Sequence, residues 1–283
     1  MVRLGFSLQF KYDYTPTQAV EMLCDAGFSA ISPVWSPELP LHDLTASAEK
    51  SGITIQSVHA PHRGQPHLWA SNDPLRDTTT QQFLHCIDSC AQFGIPIAVM
   101  HGWQGLGYTF PETPLDFSAF DRIVDYAEER KVSIAFENLE GEEYLQALMN
   151  RYRDRPHIGY CWDSGHDHCY PHKLDFLESF GDRLIMTHIH DNMGVRDPDG
   201  VPTTLDDLHL LPYDGNIHWE STISRLKNLP KQDILNFELK KLCKSPAAED
   251  RIYADLSTAE YFRLAAQRAR QIADLYEKVT QKA

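Results

Sequence analysis

The chain has 283 residues and a formal net charge of −14. That length suits one α/β barrel of about 250 residues, long enough to fold without disulfides, and the acidic balance argues against a broad nucleic-acid-binding surface. No apolar run approaches the ~20 residues of a membrane span and the N-terminus is too short and polar for a signal peptide, so a cytoplasmic protein with no membrane partner is expected.

Short β-type runs alternate with stretches of helical period, eight times over. The runs are Leu4–Phe10, Ala30–Trp35, Ile53–His59, Ile95–His101, Val132–Glu137, Ile158–Asp163, Leu184–His188 and Ile234–Glu238. Helices are predicted near 16–27, 38–51, 74–93, 117–131, 142–152, 173–181, 218–228 and 257–280. Pro16 and Pro74 suit first-turn positions, and Gly27, Gly52 and Gly94 sit where helices would stop. Strand–helix alternation implies parallel strands with right-handed crossovers. Eight such units, at a pitch of about 35 residues, fit a closed (β/α)₈ barrel over 1–283 as a single domain. A doubly wound sheet would need a Gly-rich first turn, which Gly5-Phe-Ser-Leu does not provide. Residues 193–217, after the seventh strand, form the one long insertion, and long loops are often functional.

Chemistry in such a barrel sits at the carboxyl ends of the strands. Read there, the third to eighth strands deliver His59, His101, Glu137, Asp163 with His166, His188 and Glu238, and the insertion adds Asp207 and His209. Singly, each has an ordinary reading as a loop histidine or a helix cap. Together, four carboxylates in one concave site repel one another unless cations sit among them. Carboxylate and imidazole without thiolate suits Mn²⁺ or Zn²⁺, with Fe²⁺, Co²⁺ or Mg²⁺ as further candidates. The six cysteines lack metal-ligand or redox spacing and read as reduced core or helix residues.

These motifs, in this order, resemble the xylose-isomerase-like TIM barrels, a group that includes sugar phosphate isomerases, ketose epimerases and the AP endonuclease relatives of endonuclease IV. The resemblance covers nearly the whole chain. It implies a four-ligand metal site at Glu137, Asp163, His188 and Glu238; His188 is chosen over His190 because the family's histidine lies three residues before an aspartate, here Asp191. The endonuclease branch implies up to three ions per chain: one on His59, His101 and Glu137, one on the four-ligand site, and one on His166, Asp207 and His209. Cys161-Trp-Asp-Ser-Gly-His and His190-Asp-Asn-Met depart from that branch's motifs, and Arg and Lys are sparse beside the strand ends.

The resemblance therefore implies a divalent-metal-dependent isomerase or epimerase of a sugar, sugar phosphate or polyol. Glu137 and Glu238 would transfer the proton beside a carbonyl. His166, where it is not a ligand, would position substrate oxygens, His190 would face the substrate or brace a ligand, Arg196 would hold an anionic group, and Trp35 and Trp103 would wall a sugar ring. Asp191 would orient a ligand histidine or bind substrate. The absence of a phosphate-cradling Gly-rich loop in 62–73, 102–115 and 193–216 favours an unphosphorylated carbohydrate. The runner-up is a multi-metal phosphoester hydrolase. A glycoside-cleaving enzyme of the same fold and a non-catalytic metal-binding subunit complete the alternatives. Barrels of this group often pair, so a homodimer is an expectation too.

Overall fold

The computed structural model describes residues 1–9, 14–112 and 114–281. Phe10, Thr113 in the predicted 102–115 loop, and the last two residues of the predicted domain lie outside the described residues. Eight strand positions run parallel: β1 (Arg3–Leu8), β2 (Ala30–Pro33), β3 in two halves (Thr54–Ile55 and Val58–His59), β4 (Ile97–His101), β5 (Ser133–Glu137), β6 (Ile158–Asp163), β7 (Leu184–His188) and β8 (Ile234–Phe237). β1 pairs with both β2 and β8. The second half of β3 begins a continuous ladder through β7. Bridges Val34 to His59 and Ile189 to Phe237 join the two sheets, so the ring closes. The interruption of β3 is local, because the Gln56 N–H still donates to Ile31 O at 2.9 Å.

The helices follow in the order expected. Long ones are α1 (Pro16–Ala26), α2 (Leu41–Ser51), α4 (Arg76–Gln92), α5 (Ser118–Glu129), α6 (Glu142–Arg151) and α10 (Thr258–Thr280); α3 (Gln65–Leu68), α7 (Ser164–Cys169), α8 (Phe176–Phe180) and α9 (Trp219–Ser224) are short. Gly27 stops α1 at φ 102° and Gly52 stops α2 at φ 68°, a left-handed backbone that glycine adopts without a Cβ clash. α10 begins at a reciprocal cap: Ser257 Oγ accepts from Glu260 N–H, and the Glu260 carboxylate accepts from Ser257 N–H. The predicted helices at 173–181 and 218–228 are cut to five and six residues, the first running into a 3₁₀ turn at Gly181–Arg183. No helix among the described residues is long and apolar enough to cross a membrane.

The barrel has two apolar layers. The larger lies between sheet and helices and contains Phe136, Trp162, Phe237 and Phe262. The inner one is small: Val99, Ala135, Cys161 and Met186, one residue each from β4 to β7. Strand side chains alternate faces with a period of two. Two residues beyond those four stand His101, Glu137, Asp163 and His188, so the same alternation that fills the barrel floor turns these side chains toward the axis at its carboxyl end. Register aligns them, with His101 opposite Glu137 and Asp163 opposite His188.

Candidate metal centre

The predicted ligands converge. Glu137, almost fully buried, divides its oxygens between two neighbourhoods: Oε2 lies 3.1 Å from His59 Nε2 and 3.2 Å from His101 Nε2, while Oε1 lies 2.8 Å from His188 Nδ1. His188 Nδ1 also reaches Glu238 Oε2 at 2.9 Å. Burial works against ionising Glu137, yet His188 and His101 overcome it and hold the carboxyl well below its ordinary range. Asp163 differs: burial, reinforced by Glu137 and Glu238 against the pull of His166, pushes it up to about 7. One buried carboxyl among four is thus poorly compensated by the protein's own charges.

A second group forms on the insertion side. His166 Nδ1 donates to Asn138 O at 3.0 Å, which aims Nε2 at Asp207 Oδ1, 3.6 Å away. His209 Nδ1 donates to Glu238 O at 2.8 Å, leaving Nε2 at 2.9 Å from Asp207 Oδ2. His190 stacks on His209 with centroids 4.0 Å apart and turns Nε2 to Asp163 Oδ1 at 2.9 Å. Its ring fits only because residue 165 is glycine: a Cβ there would stand 1.9 Å from His190 Cε1. His209 itself has φ 51°, an uncommon conformation outside glycine and a local strain held by these contacts. Burial lowers both His190 and His209 to about 4, so both rings are neutral, the form that binds metals.

Donor atoms fall into four groups, each within 4.8 Å mutually: Glu137, Asp163, His188 and Glu238; His59, Glu137 and His188; His59, His62 and His101; and His166, His190, Asp207 and His209. Two of these atoms are buried without a hydrogen bond of ordinary geometry among the described residues: His101 Nε2, which faces Glu137 Oε2 at 3.2 Å, and Asp207 Oδ1, 3.6 Å from His166 Nε2. Buried polar atoms are rarely left unpaired, and a lone pair aimed into a carboxylate–imidazole cluster is what a divalent cation requires. The residues present fit such an ion.

Three expectations meet a different arrangement. Trp35 is buried with its indole N–H on Ser89 Oγ of α4 at 3.0 Å, facing an outer groove with Leu39, Leu41 and Phe93. It is not among the converging residues. Arg196 is committed to Asp250, with Nη1 2.7 Å from both carboxylate oxygens, and to Asp206 at 3.4 Å; it braces the insertion. Asp191 touches no ligand histidine. Its Oδ1 accepts from Asn192 and Ile217 N–H, and its Oδ2 from Tyr213 N–H and Trp219 Nε1–H. Of its two expected places, His190 takes the one beside a ligand: fully buried, it turns Nε2 to Asp163 Oδ1. Trp103 stacks on Tyr144 at 4.4 Å and 6° and packs half-buried against the outer core.

Other residues escaped the sequence reading. His62 stacks on His59 at 4.0 Å. Asn138, fully buried, holds the end of β6 by accepting from Asp163 N–H and donating to Asp163 O, both at 2.8 Å. Lys244 Nζ lies 3.2 Å from Asp207 Oδ2. His62 lies one turn past His59 and Asn138 follows Glu137, so proximity to strand ends was the available signal.

A family model described as xylose isomerase-like TIM barrel matches residues 17–274. The chain belongs to that family. Among relatives of this xylose isomerase-like barrel, an uncharacterised protein of Sinorhizobium fredii, y4fM, is 31% identical over 270 residues, 80% of this chain and 82% of the relative. The solved structure of an IOLI protein with a binding zinc atom has a TM-score of 0.69 at 19% identity, covering 98% of this chain and 99% of that one. L-ribulose 3-epimerase has a TM-score of 0.71 at 14% identity, covering 100% and 97%. At those identities the structural likeness shows the shared barrel fold.

Proposed function

We propose that this xylose isomerase-like barrel is a divalent-metal-dependent isomerase or epimerase of a sugar, sugar phosphate or polyol. The observation that carries the reading is the convergence of Glu137 and Glu238, from β5 and β8, on His188 Nδ1 at 2.8 and 2.9 Å, with Asp163 in the same group. Glu137, Asp163, His188 and Glu238 would hold the ion, Mn²⁺ or Zn²⁺ in preference to Fe²⁺, Co²⁺ or Mg²⁺. A bound ion supplies Lewis acidity to neighbouring substrate oxygens. The epimerase and the zinc-bearing protein among the neighbours support this reading.

Glu238 is the better placed base. Its Oε1 comes no nearer than 4.0 Å to His209 Nδ1, whereas both oxygens of Glu137 are engaged. Glu238 takes the proton beside the carbonyl and Glu137, across the site, returns it. His166 positions a substrate oxygen through Nε2 if it does not hold an ion, and Trp103 with Tyr144 supplies an apolar wall. Solvent-hydrogen exchange on an accepted ketose tests this: Glu238→Gln should abolish exchange, and exchange at the wild-type rate would overturn the assignment.

The two imidazole-rich groups beside this site favour a second reading, hydrolysis of phosphate esters, a chemistry served by two or three neighbouring ions. Metal analysis separates the two. One ion per chain supports the isomerase, and three ions, with one lost on His59→Ala and another on His209→Ala, support the hydrolase.

A further inference from the structure

Arg196 is tied to Asp250 and Asp206, so the predicted anion-holding role has no free guanidinium behind it. Two lysines stand closer to the donor groups. After β8 the extended backbone continues, with Glu238 N–H donating to Ile189 O at 3.2 Å and Lys240 N–H to His209 O at 3.1 Å. Alternation places the Glu238 and Lys240 side chains on one face and sends Leu239, 3% exposed, into the core. Lys240 thus follows Glu238 toward the axis. It is half-buried, and no carboxylate lies within 4.0 Å of its ammonium among the described residues. The Lys240 N–H bond to His209 O sets this residue beside the insertion-side group. Lys244 reaches the same place from the following loop, its Nζ 3.2 Å from Asp207 Oδ2 and half its side chain exposed at the mouth.

We infer that Lys240 and Lys244 form an oxyanion subsite beside the metal groups, taking a phosphate or carboxylate group of the substrate. The inference rests on the metal reading above. With an ion on the Glu238 group and a second on the Asp207 group, the four negative charges of Glu137, Asp163, Asp207 and Glu238 would be balanced, and the two ammonium groups would then be uncompensated positive charge beside cations. Holding them there is unfavourable until an anion arrives. An ammonium on a flexible stem suits either oxyanion as a point charge. The opposing account makes the lysines internal counter-ions of the carboxylates, with no ligand of their own.

The test uses the full chain loaded with Mn²⁺ and titrated calorimetrically with inorganic phosphate and, separately, acetate. Wild type should bind at least one of them, and Lys240→Met and Lys244→Met should each weaken that binding about tenfold or more, the scale of one charge-assisted hydrogen bond. The tighter-binding anion assigns phosphate or carboxylate. Mn²⁺ affinity should hold or rise in both variants, because a neighbouring positive charge has gone; misfolding would lower it. Equal anion affinity in wild type and variants, or variants that lose Mn²⁺, overturns the inference. A chain that takes up no Mn²⁺ overturns the metal reading and this inference together. A loaded chain that ignores both anions overturns this one alone. Lysine-dependent binding in a protein without proton exchange leaves this inference standing while the isomerase reading falls.

Discussion

Asp191→Asn should destabilise the protein and loosen the 193–217 loop before it disturbs the barrel. The Asp191 carboxylate is fully buried and accepts four hydrogen bonds, at 2.9 and 3.1 Å on Oδ1 and at 2.9 Å twice on Oδ2. Its surroundings leave no slack, since a Cβ at Gly215 would stand 2.2 Å from Oδ1. An amide keeps one acceptor oxygen and turns an NH₂ toward the other two donors. Two hydrogen bonds to a charged group are lost, at ~1.5–3 kcal/mol each, and relief from burying a charge offsets part of the loss. The net cost is about 3 kcal/mol, several degrees in Tm. Thermal unfolding in chelator and limited proteolysis between residues 193 and 217 measure the two effects. An ion offered to the Asp207 and His209 group should bind more weakly than in wild type, while one offered to the group built on Glu238 should bind as before. An Asp191→Asn protein with wild-type Tm and wild-type protease resistance would refute the assignment of Asp191 as anchor of the loop.

Acid should destabilise the metal-free protein through His190 and His209. Burial lowers both to about 4, against about 6.5 in the unfolded chain, so their contribution is whole above pH ~6.5 and is lost as the pH falls through 4. Urea unfolding of the His190→Gln variant should show a shallower decline across that window. Metal loading at pH 8 should release protons. Despite burial, Asp163 and Asp207 raise His166 to about 10, and its proton must leave for Nε2 to bind an ion; calorimetric heats that depend on the buffer's ionisation enthalpy report the release. Arg196→Met should cost about 2–3 kcal/mol, less than breaking a fully buried pair because the arginine side chain is 33% exposed. Its anion affinity should match wild type, as read by the phosphate titration.

Much of the fold was legible because period decides it. Ile158–Asp163 and Leu184–His188 agree to the residue, and α10 differs by one. α3 and α7 were missed because four or six residues carry too little periodicity to stand out from a loop. The donor set was legible for a related reason: a strand that ends in a ligand-type side chain also says, by alternation, which way that side chain points. Partners distant in sequence were not legible. Arg196 meets Asp250 across 54 positions and Trp35 meets Ser89 across the same interval, and nothing near either residue announces the pairing. Lys240 was readable in principle, two residues after Glu238 on an extended segment, but composition alone passed over it.

The divided carboxylate of Glu137 has a thermodynamic consequence. One oxygen faces His59 and His101 and the other faces His188, so a single negative charge serves two neighbouring cation positions. An ion bound at one position would draw on that charge, and an ion at the other would then meet a carboxylate already partly neutralised. Binding at the two positions would therefore be linked, with an equal penalty whichever ion arrived last. A titration across this rim should yield unequal successive affinities, and neutralising Glu137 should change both steps at once.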